Sequence, residues 1–235
     1  YARRRTNKRI LYLVFNKSAK QKAQQLFMVN HLTHVSVETA HSLAYRFIIP
    51  GSAYRIRAGY RPAELVLLLN IPTDRPEMLH LKIAHHVLEY YHLFCSQTAS
   101  AVVDIDYPSG IVDASARVFV RHHHDEIIYY TRLLLARMDQ GAIEITHDFY
   151  LKKFQLMHPI LPYDIILFDE GQDASPVMLD VFYSQRARRV IIGDSYQQIY
   201  GWRHAVNALE NAHFNPMLLS CSFRFGNDIA RLARS

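Results

Sequence analysis

The stretch from residue 164 to residue 176, DIILFDEGQDASP, constrains what this chain can fold into more than any other part of it. Four apolar residues, Ile165 to Phe168, run directly into Asp169 and Glu170, and Asp173 follows behind Gly171 and Gln172. A short unbroken apolar run describes a strand buried on both faces of a parallel sheet. Acids at the carboxyl end of such a strand stand where open α/β sheets place their ligands. One acid there can hold a magnesium ion while its neighbour acts as a base on water. Taken alone, the same pattern also fits a buried strand that ends in a solvated acidic turn.

Two later segments repeat the arrangement. In RVIIGDSYQQIYGWR, an apolar strand over 189–192 delivers Gly193, Asp194 and Gln197 to the same edge. Gln197 is an uncharged donor and acceptor that could sense a terminal phosphate or orient water. Tyr200, Trp202 and Arg203 follow, and aromatics beside a guanidinium form a stacking platform for single-stranded bases. Burial in the core is the alternative for both rings. In LLSCSFRFG, a strand over 217–221 is followed by Phe223 and Arg224. An aromatic can stack on a base, and an arginine can neutralise charge on a transferred phosphoryl group.

The remaining elements follow the rhythm of a parallel α/β sheet. Strands are expected over 9–15 and 35–39, with a helix over 16–29 capped by Asn16 or Ser18 and another beginning over 41–47. Residues 50–73, punctuated by Gly and Pro, read as irregular. Helices are expected over 76–95, 116–140 (ending at Gly141), 146–156 and 176–183, with a loop over 99–115. Further helices are expected over 206–211 and from 227. Residues 48–145 thus form a helical insertion within an α/β domain made of 1–47 and 146–235.

Charge is distributed unevenly. Residues 1–63 hold twelve Lys or Arg and a single acid, Glu38, whereas the remainder holds fifteen basic and twenty acidic residues. Arg outnumbers Lys twenty to seven, which suits bidentate phosphate contacts. A phosphate-binding surface or a solvated basic face would both produce this pattern. Two distant cysteines, Cys95 and Cys221, point away from a disulfide framework and towards a reducing compartment. No apolar run approaches the roughly 18 residues of a membrane span. The basic start lacks a signal-peptide core, because Asn16 and Lys17 interrupt the apolar stretch. His122–His124 with Asp125 and Glu126, and the pair His85–His86, read as chance adjacency, since consecutive helical residues face different ways.

Read together, these segments resemble superfamily 1 helicases of the UvrD/Rep type, most closely the F-box DNA helicase branch. YLVFNKSAK and ETAHSLAYR resemble the first two strand-contacting motifs, and ITHDFYLKKFQL resembles the segment before the acidic box. ILFDEGQD, IIGDSYQQIYGWRHAVNAL and LSCSFRFGNDIARLA resemble the Walker B box and the two motifs after it. The resemblance implies a RecA-like parallel sheet of the P-loop NTPase type with a helical insertion. It implies an ATP-dependent DNA helicase that uses ATP and Mg2+ and moves on single-stranded DNA or at single/double-strand junctions, inside the cell: in the bacterial cytoplasm or the eukaryotic nucleus.

In that reading Asp169 holds magnesium, Glu170 activates water, Gln197 senses the terminal phosphate and Arg224 contacts it. Phe223 lies near the adenine and Asp194 belongs to the nucleotide site. Phe15, Asn16, Thr39, His41, Tyr200, Trp202 and Arg203 contact the DNA. Departures are also present. No G-x-x-x-x-G-K-[ST] phosphate loop occurs, His204 follows Trp-Arg where the family has Gly, and Gly171 replaces a bulkier residue. With Tyr1 in place of an initiating Met, the expectation is an internal piece of a longer enzyme, inactive as an ATPase by itself. A non-catalytic nucleic-acid or partner-binding module, and an RNA helicase, remain the alternatives.

Overall fold

The computed structural model describes residues 2–74, 78–197, 209 and 214–218. Within these, the chain runs β1 (Ile10–Val14), α1 (Lys17–Val29), β2 (Val35–Thr39), α2 (Ala40–Ile48), α3 (Pro62–Leu69), α4 (Leu79–Ser96), α5 (Ala114–His122), α6 (His124–Asp139), α7 (His147–Leu156), β3 (Ile165–Phe168), α8 (Pro176–Tyr183) and β4 (Arg188–Ile191). The strands form one parallel sheet in the order β2-β1-β3-β4. An α/β fold with a parallel sheet, as the apolar runs require, is therefore what the chain adopts. Expected strand ends agree to within a residue or so.

Register decides what the sheet presents. Leu13 pairs with Phe168, Val14 with Thr39, and Phe168 with Ile191, so all four strands end at one edge. Alternation along β1 and β3 splits the side chains between two faces. Leu11, Leu13, Ile166 and Phe168 join a continuous core with residues of α2 to α8. Ile10, Tyr12, Val14, Ile165 and Leu167 take the other face, where Tyr12 meets Phe27 of α1 edge-on at 5.5 Å.

Side chains satisfy the free amides at several helix starts, Asn16 among them as expected. Asn16 is extended and its Oδ1 accepts from the Ala19 amide at 2.9 Å. Thr39 and Ser42 form a reciprocal capping box at α2, and Ser175 with Pro176 opens α8. At α7, Thr146 caps the Phe149 amide and is bonded to the buried Tyr91 hydroxyl.

Three expectations need correction. The irregular region 50–73 contains a helix, α3, with Pro62 in its first turn and Asn70 closing it in the left-handed region at φ 54°. Pro62, expected as loop punctuation, instead opens a helix, which Asn70 closes. The single helix over 116–140 is two helices broken at His123, whose φ −106° and ψ 19° leave the helical region. Histidines and Asp are weak helix formers, and Val120 and Ile127 on either side of the break are both buried. The loop over 99–115 contains two 3-10 turns, Val102–Asp104 and Pro108–Gly110. Gly141 does end α6, at φ 68°. The helices expected from 206 and 227, and most of the strand over 217–221, lie outside the described residues.

The buried Lys152 fastens the α4 exit to α7. Its ammonium donates to the carbonyls of Gln97 and Ala99 at 2.8 and 2.6 Å and to Gln155 at 2.9 Å. Three acceptors compensate a cation that would otherwise be costly to bury. Among the described residues, no helix is long and apolar enough to cross a membrane.

Candidate functional site

Parallel strands that end together gather the residues following each of them. At the carboxyl edge stand Phe15 and Asn16 after β1, Thr39 and His41 at the β2–α2 junction, Asp169 and Glu170 after β3, and Asp194 after β4. Gln197 ends the short 3-10 turn Ser195–Gln197 beyond β4. Segments separated by some 150 residues of sequence thus meet at one edge, and the two apolar runs at 165–168 and 189–192 deliver their acids to it side by side.

Asp169 continues the ladder, its amide donating to the Leu13 carbonyl at 2.9 Å. Its Oδ1 accepts from the Glu170 amide at 3.2 Å. Its Oδ2 accepts from the Tyr12 hydroxyl at 2.5 Å. Burial first, and then the bond to Asp169, raise the Tyr12 phenol well above its usual range, so Tyr12 is the donor.

Glu170 sits in the left-handed region, at φ 55° and ψ 45°. A non-glycine residue in this region costs on the order of 1 kcal/mol or more and persists only where its surroundings impose it. Two bonds impose it here. The Gly171 amide donates to the Ile192 carbonyl at 2.9 Å, and Gln172 Nε2 donates to Glu170 Oε2 at 2.7 Å. Gln172 is almost wholly buried, and its Oε1 accepts from the Asp194 amide at 3.2 Å. One side chain therefore ties the β3 exit to the β4 exit. The seam is tight. A Cβ on Gly193 would lie 2.2 Å from Gln172 Oε1, and one on Gly171 would lie 2.3 Å from Ile191 Cγ2. The glycine at 171, where a bulkier residue was expected, is thus matched to its neighbour.

Beyond β4, Asp194 shapes its own turn. Its Oδ1 accepts from the Tyr196 amide at 3.0 Å and its Oδ2 from Gln197 Nε2 at 2.7 Å. The Gln197 side chain is thereby tethered to the strand end that carries it.

The β2–α2 junction is built around Glu38, the single acid of the basic quarter. It is 7% exposed and accepts from Lys20 at 2.5 Å, Arg46 at 2.7 Å and Ser42 at 2.5 Å. Burial alone would raise its carboxyl, but these bonds outweigh it and hold the group below its usual range. Lys20 lies in the first turn of α1, Ser42 in the first turn of α2 and Arg46 in its last, so Glu38 ties both helices to the β2 exit. His41 stands nearby, half-exposed, with Nε2 3.9 Å from Asp148 Oδ1. His92 approaches the other oxygen of Asp148 at 3.4 Å. The two imidazoles, His41 foremost, hold the Asp148 carboxyl well below the usual carboxylate range.

Asn16 and Thr39 are engaged as caps, and Phe15 is partly exposed. Tyr200, Trp202, Arg203, Phe223 and Arg224 lie outside the described residues. Sequence reading passed over Tyr12, Gln172, Glu38 and Asp148. Gln172 was visible inside the acidic box. Tyr12 and Asp148 act across strand and helix pairings that no local pattern encodes.

Comparison with known proteins bears on this edge directly. The family model described as UvrD/REP helicase N-terminal domain matches residues 123–213. That span includes α6 to β4 and the Asp169–Gln172 seam. The chain is 30% identical to F-box DNA helicase protein 1 of Schizosaccharomyces pombe, over 99% of this chain and 28% of that protein. It is 29% identical to F-box DNA helicase 1 of Gallus gallus, over 98% of this chain and 23% of that protein. The chain thus spans about a quarter of the length of these relatives. With a parallel sheet, an acidic strand exit at its carboxyl edge and these matches, the chain is similar to the UvrD/REP helicases.

Proposed function

We propose that this chain supplies the nucleotide-facing edge of an ATP-dependent DNA helicase. One observation carries the reading. The exits of β1, β2, β3 and β4 share one edge, at which Asp169 and Glu170 are held in fixed geometry beside the Asp194–Gln197 turn. Phosphoryl transfer asks mainly for positioning and charge neutralisation, which a rigid strand edge provides.

Among the described residues, no cluster of three or more His, Cys, Asp or Glu could form a metal cage. A lone carboxylate such as Asp169 fits magnesium, which is commonly bound through one or two carboxylates with water and substrate phosphates. Bound there, the ion would supply charge neutralisation on the phosphates. Glu170, pinned in the left-handed region, would orient and deprotonate the attacking water. Gln197, tethered to Asp194, would report on the terminal phosphate, and Arg224 would neutralise it. Phe223 would lie near the adenine.

The DNA would cross the same edge over Phe15, Asn16, Thr39 and His41, and over Tyr200, Trp202 and Arg203. The basic first quarter supplies charge for the phosphate backbone. In this reading residues 1–47 and 146–235 belong to the motor domain and 48–145 to its helical insertion.

Strand separation by the full-length protein tests the reading, using matched DNA and RNA duplexes with single-stranded tails. ATP-dependent opening of the DNA duplex is expected. Opening of RNA alone would transfer the function to an RNA motor. Nucleic-acid binding without any opening would leave only a binding module.

A further inference from the structure

The candidate nucleotide edge contains a residue to which the reading above gives no role. Tyr12 lies in the middle of β1, in register with Leu167. In a parallel pair, aligned residues point to the same face, and so does the residue two further along. Asp169 is therefore a diagonal neighbour of Tyr12 across the β1–β3 pair, a separation that long aromatic side chains can span. The hydroxyl arrives at Asp169 Oδ2 at 2.5 Å. The ring is held from its other side by Phe27 of α1, at 5.5 Å and 60°. An aromatic stem fixed by packing, with a polar tip delivered to one carboxylate oxygen, is a rigid orienting device.

Without Tyr12, the Asp169 side chain would keep one hydrogen bond among the described residues, from the Glu170 amide to Oδ1 at 3.2 Å. That bond comes from the adjacent residue and moves with it. The Tyr12 bond comes from a different strand and fixes the carboxylate plane relative to the sheet. Each carboxylate oxygen keeps a second lone pair, so the bond leaves Asp169 free to meet a cation. Groups that hydrogen-bond a ligating carboxylate orient it, and their loss typically weakens metal binding 10- to 100-fold.

We propose that Tyr12 is a positioning residue that orients Asp169 for the divalent cation accompanying the nucleotide. This inference rests on the function proposed above. Because water and phosphate would supply most of the ligands, the expected effect lies at or below the lower end of that range, about 3- to 10-fold.

The test uses the full-length protein and a fluorescent, non-hydrolysable ATP analogue, titrated with Mg2+ and separately in EDTA. Tyr12→Phe keeps the ring against Phe27 and removes only the hydroxyl. It should raise the Mg2+ concentration for half-maximal analogue binding about 3- to 10-fold, with metal-free affinity and melting temperature close to wild type. Tyr12→Ala should raise the Mg2+ requirement similarly and also lower the melting temperature. An unchanged Mg2+ requirement in Tyr12→Phe overturns the inference, as does an equal loss of metal-free binding. If the wild-type protein binds no analogue, the proposed nucleotide site fails and the inference fails with it. Wild-type binding with an unaffected Tyr12→Phe variant rejects the inference alone.

Discussion

Gly171 and Gln172 show how single residues set the geometry of the candidate site. Gln172 reads both neighbours at once, donating to Glu170 and accepting from the Asp194 amide. Buried in this way, it costs little only because both ends are satisfied. Gly171 beside it is needed for space, because a Cβ would press on Ile191 Cγ2 at 2.3 Å. That methyl is attached next to the β4 backbone and cannot swing aside as a long side chain would. Gly171→Ala should therefore destabilise the protein by about 1–3 kcal/mol, the usual cost of overpacking. Ile191→Ala should remove the obstacle, so that the double variant is more stable than the sum of the two single losses. Additive denaturant-unfolding free energies would show that the seam is looser than the 2.3 Å approach to Ile191 Cγ2 implies.

At the scale of elements, the strands were legible from short apolar runs, and the α1 start from Asn16, while the caps Thr39, Thr146 and Ser175 emerged from the structure. Two further features were not legible. Helix α3 hides among residues that also mark loops, and the break at His123 falls inside a stretch whose apolar spacing fits one continuous helix. The α4–α5 contact was illegible as well. There His86 lies beside His85 and Phe119, and its Nδ1 is 2.8 Å from the Tyr107 hydroxyl.

Burial, and then the neighbouring His85, lower the His86 imidazole to about 4. A depressed folded-state value means that the unfolded chain takes up a proton more readily between the two values. The stabilising contribution is then complete above about 6.5, the ordinary histidine value. It is lost as pH falls from there towards 4. Melting temperature should accordingly drop over pH 6.5 to 4, and His86→Gln should flatten that slope. Identical slopes in the two proteins would remove His86 as the titrating group.

For the whole molecule, convergence is the property that sequence order conceals and topology reveals. Apolar runs placed Asp169, Asp194 and Gln197 at strand exits, while the order β2-β1-β3-β4 put those exits side by side. Register and cross-strand reach then added Tyr12, which no spacing rule within β1 could have singled out. The cationic first quarter supplies β1, β2 and the helices after them. Of that charge, Lys17, Lys20 and Lys22 of α1 follow the β1 exit, whereas Lys8 and Arg9 precede β1 at the opposite edge, Lys8 beside Asp164. Glu38 neutralises part of it internally, through Lys20 and Arg46.

The claim that this edge performs phosphoryl transfer is tested most directly by Glu170→Gln in the full-length protein. Steady-state ATP turnover in the presence of single-stranded DNA is compared with binding of a fluorescent ATP analogue. Loss of a general base typically costs about 10²- to 10⁴-fold in rate. Turnover should fall by that order while analogue affinity stays near wild type. Turnover that survives the substitution would contradict the assignment of Glu170 as the base on water.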